Sequence, residues 1–122
     1  MSTEPLIAVI DDDESFRVAL VEALASLGYG ARGFASAEEF FIGDGTEPYG
    51  CVITDVHMPG MSGFDFKRRL LAHGSRLPVI MTTADADPGL ESRAAASGAV
   101  CLLRKPFEAD AMTGWLERAL KV

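Results

Sequence analysis

Five times along this chain a short strand-like stretch, in four cases an apolar run, is followed by a helix-length amphipathic segment, and few folds accommodate that alternation. The stretches are Leu6–Ile10, Ala31–Phe34, Cys51–Thr54, Leu77–Thr83 and Val100–Arg104, of which Ala31–Phe34 is a short strand interrupted by Arg32 and Gly33. A strand buried on both faces reads as a continuous apolar run, whereas a half-exposed strand alternates. Between the runs lies the helical period. Phe16, Leu20, Ala23, Leu24 and Leu27 form one stripe, ended by Gly28 and Gly30. Ser36 and Glu39 have capping-box spacing ahead of Phe40, Phe41 and Ile42, which are expected to supply the second helix's buried side. Residues 43–50 read as loop. Phe64, Leu70 and Leu71 mark the third helix, and Asp87-Pro-Gly opens an Ala-rich fourth helix that ends at Gly98. The last helix is expected over Phe107–Leu120, with Ala111, Trp115, Ala119 and Leu120 on its stripe. Pro78 stands at the start of the fourth strand, where a missing N–H is tolerated.

Five such units predict an α/β fold, a doubly wound parallel five-stranded sheet with helices on both faces. The flavodoxin-like order 2-1-3-4-5 is the natural arrangement. At 122 residues the chain is expected to be one domain, residues 1–122, with one well-buried core. A net charge of −7 argues against nucleic acid binding by this segment. No apolar run approaches the ~20 residues that span a bilayer. The opening Met1-Ser-Thr-Glu-Pro lacks the basic and apolar regions of a signal peptide, so a cytoplasmic location is expected. Cys51 and Cys101 fall in strands that another strand separates. Two strand spacings come to roughly 9–10 Å, too far for a disulfide. Both are expected to be reduced and to act as small hydrophobes.

Ligands of an open parallel sheet bind outside the carboxyl ends of its strands, near the switch in strand order. The residues there are Asp11 and Asp12, Asp55, Thr83 and Lys105. Two carboxylates about 5 Å apart repel by roughly 3 kcal/mol at an effective dielectric of 20, so three together call for a cation. Mg²⁺ takes oxygen ligands and is completed by phosphate oxygens. Asp13 reads instead as a cap on the first helix. A carboxylate can act as a nucleophile and form an aspartyl-phosphate, and Asp55, ending a central strand, is the candidate. Lys105, the Thr83 hydroxyl and backbone N–H groups near Ala84 are placed to meet the charge that develops on a transferred phosphoryl group.

The run Val9-Ile-Asp-Asp-Asp with Arg17 following, the stretch VITDVHMPGMSG, Thr83-Ala84 and Arg104-Lys105-Pro106-Phe107 together resemble the receiver domain of bacterial two-component response regulators. The texture of FASAEEF and LLRKPF is most similar to receivers of the FixJ type. The resemblance implies that Asp55 is the phosphoacceptor and takes its phosphoryl group from a sensor histidine kinase or phosphotransfer protein. It implies Mg²⁺ as cofactor, with Asp12 a direct ligand, Asp11 acting through water, and Asp55 and the His57 backbone carbonyl completing the protein set. Thr83 and Lys105 match the phosphate-sensing hydroxyl and lysine, and Ala84 the backbone donor to phosphate. Phosphorylation in the family alters the surface formed by the fourth helix, fifth strand and fifth helix, which implies a phosphorylation-dependent homodimer or a downstream output partner.

One position departs from the family pattern. Three residues before Lys105, where the family has an aromatic that turns inward, stands Leu102, which has neither ring nor hydroxyl. The loop Ala84–Gly89 then remains to shift the surface, or the switch is weakened. His57 and Asp85 match positions that tune phosphate lifetime, and they read equally as exposed loop residues. Lys67-Arg-Arg reads as a solvated helix face, His73 as a complement to that helix's dipole, and Trp115 as core. Two other functions fit parts of the sequence. Asp11-Asp-Asp13-Glu-Ser15 loosely fits the nucleophile loop of a Mg²⁺-dependent haloacid-dehalogenase-type phosphatase, although the length leaves no room for that family's larger core or cap. Leu102 suggests a constitutive interaction module.

Overall fold

The computed structural model describes residues 6–43 and 49–120. Five strands and five helices alternate: β1 Leu6–Ile10, α1 Glu14–Ser26, β2 Gly30–Phe34, α2 Ala37–Gly43, β3 Tyr49–Asp55, α3 Gly63–Ala72, β4 Val79–Thr83, α4 Gly89–Ser97, β5 Cys101–Arg104 and α5 Ala109–Leu120. All pairings are parallel and the sheet order is β2-β1-β3-β4-β5. The flavodoxin-like arrangement expected from the alternation is the one observed. Expectations on Met1–Pro5, and on residues 44–48 of the loop before β3, lie outside the described residues.

Strand pleating sends successive side chains to opposite faces, and each face carries its own core. Ala8, Ile10, Val52, Val79 and Met81 pack with Phe40, Phe66, Leu70, Leu90 and Ala94 from α2, α3 and α4. Ile7, Val9, Cys51, Ile53 and Ile80 pack with Leu20, Leu24, Met112, Leu116 and Ala119 from α1 and α5. Among the described residues no helix is long and apolar enough to cross a membrane. Cys51 and Cys101 are free thiols with β4 between their strands. Burial pushes the Cys51 thiol up to about 12 and the Cys101 thiol up to about 11.

Helix faces depart from the expected stripes for one geometric reason: successive helical residues lie about 100° apart. Three neighbours therefore cannot share a face. In α2, Phe40 is buried and Phe41 half-buried, but Ile42 is 84% exposed. In α3, Leu70 faces the sheet and Leu71 turns out, while Phe66 is fully buried. The buried face of α5 is Met112, Leu116 and Ala119, rotated from the expected one; Ala111 is exposed and Trp115 half-buried. That helix starts at Ala109, after Phe107. The solvated face assigned to Lys67-Arg-Arg holds for Arg68 and Arg69 only. Lys67 is 7% exposed, and its Nζ lies 3.7 Å from where a side chain on Gly98 would begin.

Candidate phosphoryl and metal site

β1, β3, β4 and β5 end together, so the strand-end residues meet at one edge of the sheet. Asp11 follows β1 and is 1% exposed. Its N–H donates to the Phe34 carbonyl at 3.0 Å, and its carbonyl accepts from Arg17 Nη1 at 2.7 Å. Both carboxylate oxygens are engaged: Oδ1 accepts the Asp13 N–H at 2.9 Å and Oδ2 accepts Lys105 Nζ at 2.8 Å. Asp12 is exposed. Asp13 is the N-cap of α1 and accepts the Phe16 N–H, as its sequence context suggested.

Asp55 closes β3 and is 8% exposed. Lys105 Nζ stands 3.6 Å from Asp55 Oδ2. Asp55 Oδ1 is buried without a hydrogen-bond partner. Burial raises the Asp55 carboxyl above its ordinary value; the Lys105 charge opposes that rise and the Asp11 charge adds to it. For Lys105, burial pushes the ammonium down, but the bond to Asp11 and the charge of Asp55 outweigh it, and the net direction is up. The lysine also lies over the Phe16 ring, 4.1 Å from its centroid, and Phe16 packs edge-on against Phe107. Local spacing in the sequence does not reveal this aromatic support, because nothing in it ties Phe16 to the residues that follow β5.

Carboxylate oxygens of Asp11, Asp12 and Asp55 lie within 4.8 Å of one another. The set is all oxygen and anionic, with one buried oxygen unpartnered. It fits a hard divalent cation such as Mg²⁺ and does not suit a soft metal. His57 follows two residues after Asp55, in the loop that supplies the expected backbone carbonyl. That loop is held close to β3: Gly63 N–H donates to the Val56 carbonyl at 2.9 Å, and a Cβ on Gly63 would lie 2.5 Å from the Asp55 carbonyl oxygen. Ser62 and Asp65 form a reciprocal capping box at the start of α3.

Thr83 is fully buried at the end of β4, one residue beyond the ladder partner of Asp55. Its hydroxyl accepts the Asp85 N–H at 3.0 Å and its carbonyl accepts the Lys105 N–H at 2.7 Å. Ala84, next in the chain, is exposed. His57 Nε2 meets Asp85 Oδ2 at 3.0 Å, so two residues read singly as loop positions form a bridge across the mouth of the site. Hydrogen bonding from the Asp87 N–H, and then from His57, holds the Asp85 carboxyl below its ordinary value. Leu102 is half-buried and packs on the α2–α3–α4 side of the sheet.

The family described as response regulator receiver domain matches residues 7–117. Transcriptional regulatory protein FixJ of Bradyrhizobium diazoefficiens is 38% identical over 121 residues, covering 99% of this chain and 59% of that protein. The crystal structure of FixJ-N superposes with a TM-score of 0.90 at 30% identity, covering 98% of this chain and 96% of that one. Vibrio cholerae chemotaxis protein CheY4 superposes with a TM-score of 0.87 at 27% identity, covering 97% of this chain and 100% of that one. The chain thus spans less than two thirds of the FixJ protein that it matches.

Proposed function

The chain belongs to the response regulator receiver domain family, and from that premise we propose that Asp55 accepts a phosphoryl group from the phosphohistidine of a sensor histidine kinase or phosphotransfer protein. The observation that carries this reading is the environment of Asp55. It is a buried carboxylate with one unpartnered oxygen, flanked by Lys105 and by two further acids. In the transfer, an Asp55 oxygen bonds to phosphorus as the P–N bond breaks. The electron pair leaves with the imidazole, which takes up a proton. In the return step water bonds to phosphorus, the P–O bond to Asp55 breaks, and the carboxylate regains its electron pair while a proton passes to solvent.

Asp12, Asp55 and the His57 carbonyl would hold Mg²⁺ directly, with Asp11 acting through water. The bound cation offsets carboxylate repulsion and the charge on the phosphoryl oxygens. Lys105 is held by Asp11 and Asp55 and over Phe16, ready to pair with a phosphoryl oxygen. The Thr83 hydroxyl can donate to a second oxygen while still accepting from Asp85, and the Ala84 N–H can serve a third. Phosphorylation then changes contacts of the α4–β5–α5 surface with an output partner or a second copy. The phosphatase alternative needs Asp11 as nucleophile, but both Asp11 oxygens are already engaged, which favours Asp55.

The test is labelling with acetyl phosphate and Mg²⁺, followed by intact mass. The parent is expected to gain one phosphoryl group, and Asp55→Asn to gain none while keeping its fold. Labelling of Asp55→Asn at the parental level would remove Asp55 from the role.

A further inference from the structure

The loop between β4 and α4, residues 84–88, carries little of its own packing: all five residues are exposed. Polar contacts hold it. Inside the loop, the Asp85 N–H donates to the Thr83 hydroxyl at 3.0 Å, the Asp87 N–H to Asp85 Oδ1 at 2.9 Å, and the Gly89 N–H to Asp87 Oδ1 at 2.9 Å. From outside come His57, on the Asp85 carboxylate, and Arg104. The Arg104 guanidinium donates through Nη1 to the Asp85 carbonyl and through Nη2 to the Asp87 carbonyl at 3.1 Å. It also reaches the Glu91 carboxylate at 3.4 Å, the longest of its contacts.

Arg104 is the last residue of β5, the ladder partner of Thr83 and the neighbour of Lys105. One strand end therefore delivers the lysine to the pocket and fastens the loop opposite it. A planar guanidinium presents separate donors to the two carbonyls in a fixed geometry, whereas a lysine ammonium would offer them a compact charge on a flexible stem. Leu102, two residues earlier, brings no ring or hydroxyl to this loop, so β5 acts on it through Arg104.

We propose that Arg104 is a positioning residue for the phosphoryl group: by clamping the Asp85 and Asp87 carbonyls it fixes the β4–α4 loop relative to Lys105, so that the Thr83 hydroxyl and the Ala84 N–H stand in place before the phosphoryl oxygens arrive. Donors placed in advance need no reorganisation when charge develops. The Glu91 contact plays no part, since an exposed pair of this kind contributes little. This inference rests on the reading of Asp55 as phosphoacceptor.

The experiment measures the affinity of the protein for beryllofluoride in saturating Mg²⁺, and separately its affinity for Mg²⁺ alone. R104Q is expected to bind beryllofluoride about tenfold more weakly with unchanged Mg²⁺ affinity, because Arg104 touches none of the three acids. R104K should fall between R104Q and the parent, and E91Q should match the parent on both measures. Equal beryllofluoride affinity in R104Q and the parent overturns the proposal. A loss shared by E91Q, or a parallel loss of Mg²⁺ affinity in R104Q, overturns it too, because the effect would then belong to the surface pair or to the whole pocket. If R104Q fails to fold, R104K carries the same comparison. A parent that takes no beryllofluoride refutes the Asp55 reading itself, an outcome distinct from an Arg104 variant that binds as well as the parent.

Discussion

Removing the charge of Asp12 should stabilise the protein when no divalent cation is present. Asp12 is exposed, whereas Asp11 and Asp55 are buried, and the three offer oxygens within 4.8 Å of one another. Lys105 contacts Asp11 at 2.8 Å and Asp55 at 3.6 Å, so it offsets about one of those two negative charges. Asp12 is left facing the remaining one. At that separation a pair of like charges costs about 0.9 kcal/mol in water and about 3.5 kcal/mol at an effective dielectric of 20. Because Asp12 is exposed, the lower end applies, and Asp12→Asn should gain about 1 kcal/mol, or ~3–6 °C in Tm.

Asp11→Asn provides the opposite expectation from the same pocket. Its carboxylate carries Lys105 and the Asp13 N–H, and the substitution leaves the lysine without its nearest counter-charge. Thermal and urea unfolding in EDTA should therefore rank Asp12→Asn above the parent and Asp11→Asn below it. With Mg²⁺ at about 100 times its Kd the parent gains ~2.7 kcal/mol, while Asp12→Asn loses most of that gain, so the order of those two reverses. An unchanged or lower Tm for Asp12→Asn in EDTA would mean that the three acids do not repel, and the reasoning would fail at its first step.

Two further outcomes follow from the loop after β3. Ser62→Ala removes the hydroxyl half of the α3 capping box and should cost about 1 kcal/mol in urea unfolding. Ser62, through its N–H and then its hydroxyl, holds the Asp65 carboxyl below its ordinary 3.8. A depressed acid adds stability above that value and loses it as pH falls through the folded value, so Ser62→Ala, which removes the hydroxyl but keeps the backbone N–H that contributes most, should flatten the acid limb of a stability–pH curve only in part. A parental acid limb would remove the hydroxyl's share and leave the backbone N–H as the whole cause. Gly63→Ala would press a Cβ to 2.5 Å from the Asp55 carbonyl oxygen and should cost ~1–3 kcal/mol. It should also slow phosphoryl labelling of Asp55 by displacing its backbone; parental stability and labelling would show that the loop can relax away.

The strands, their order and the residues at their ends were legible because a strand buried on both faces has a one-dimensional signature, and because five βα units leave few orders open. Helix faces were less so. Leu70 and Leu71, or Phe40 to Ile42, are equally apolar in sequence, and only the position of the sheet decides which one turns inward. Pairings between distant loops left no local trace. His57 and Asp85 are 28 residues apart, and each alone is an ordinary loop residue. Arg104 closes an apolar run beside Lys105, and that charge was the one signal available; its target became visible only once β4 and β5 were seen to end together.

α4 is the helix whose surroundings would change in the proposed switch. Its last turn contains no basic residue, and its carboxyl end is met instead by Lys67, reaching across from α3. A cation there complements the partial negative charge of the helix end. Its amino end is met by Arg104, which holds the Asp87 carbonyl just before the first turn. Both anchors are polar and come from neighbouring elements, while α4's own buried apolar contacts are Leu90 and Ala94. Besides these, Arg93 of α4 lies over the Phe64 ring of α3 at 4.3 Å, so the helix is held largely by cations and by few apolar side chains. Only the anchor at Arg104 adjoins the phosphoryl site. If Asp55 accepts a phosphoryl group as proposed, the effect is expected at the amino end of α4 first, through the Asp85 and Asp87 carbonyls that Arg104 holds.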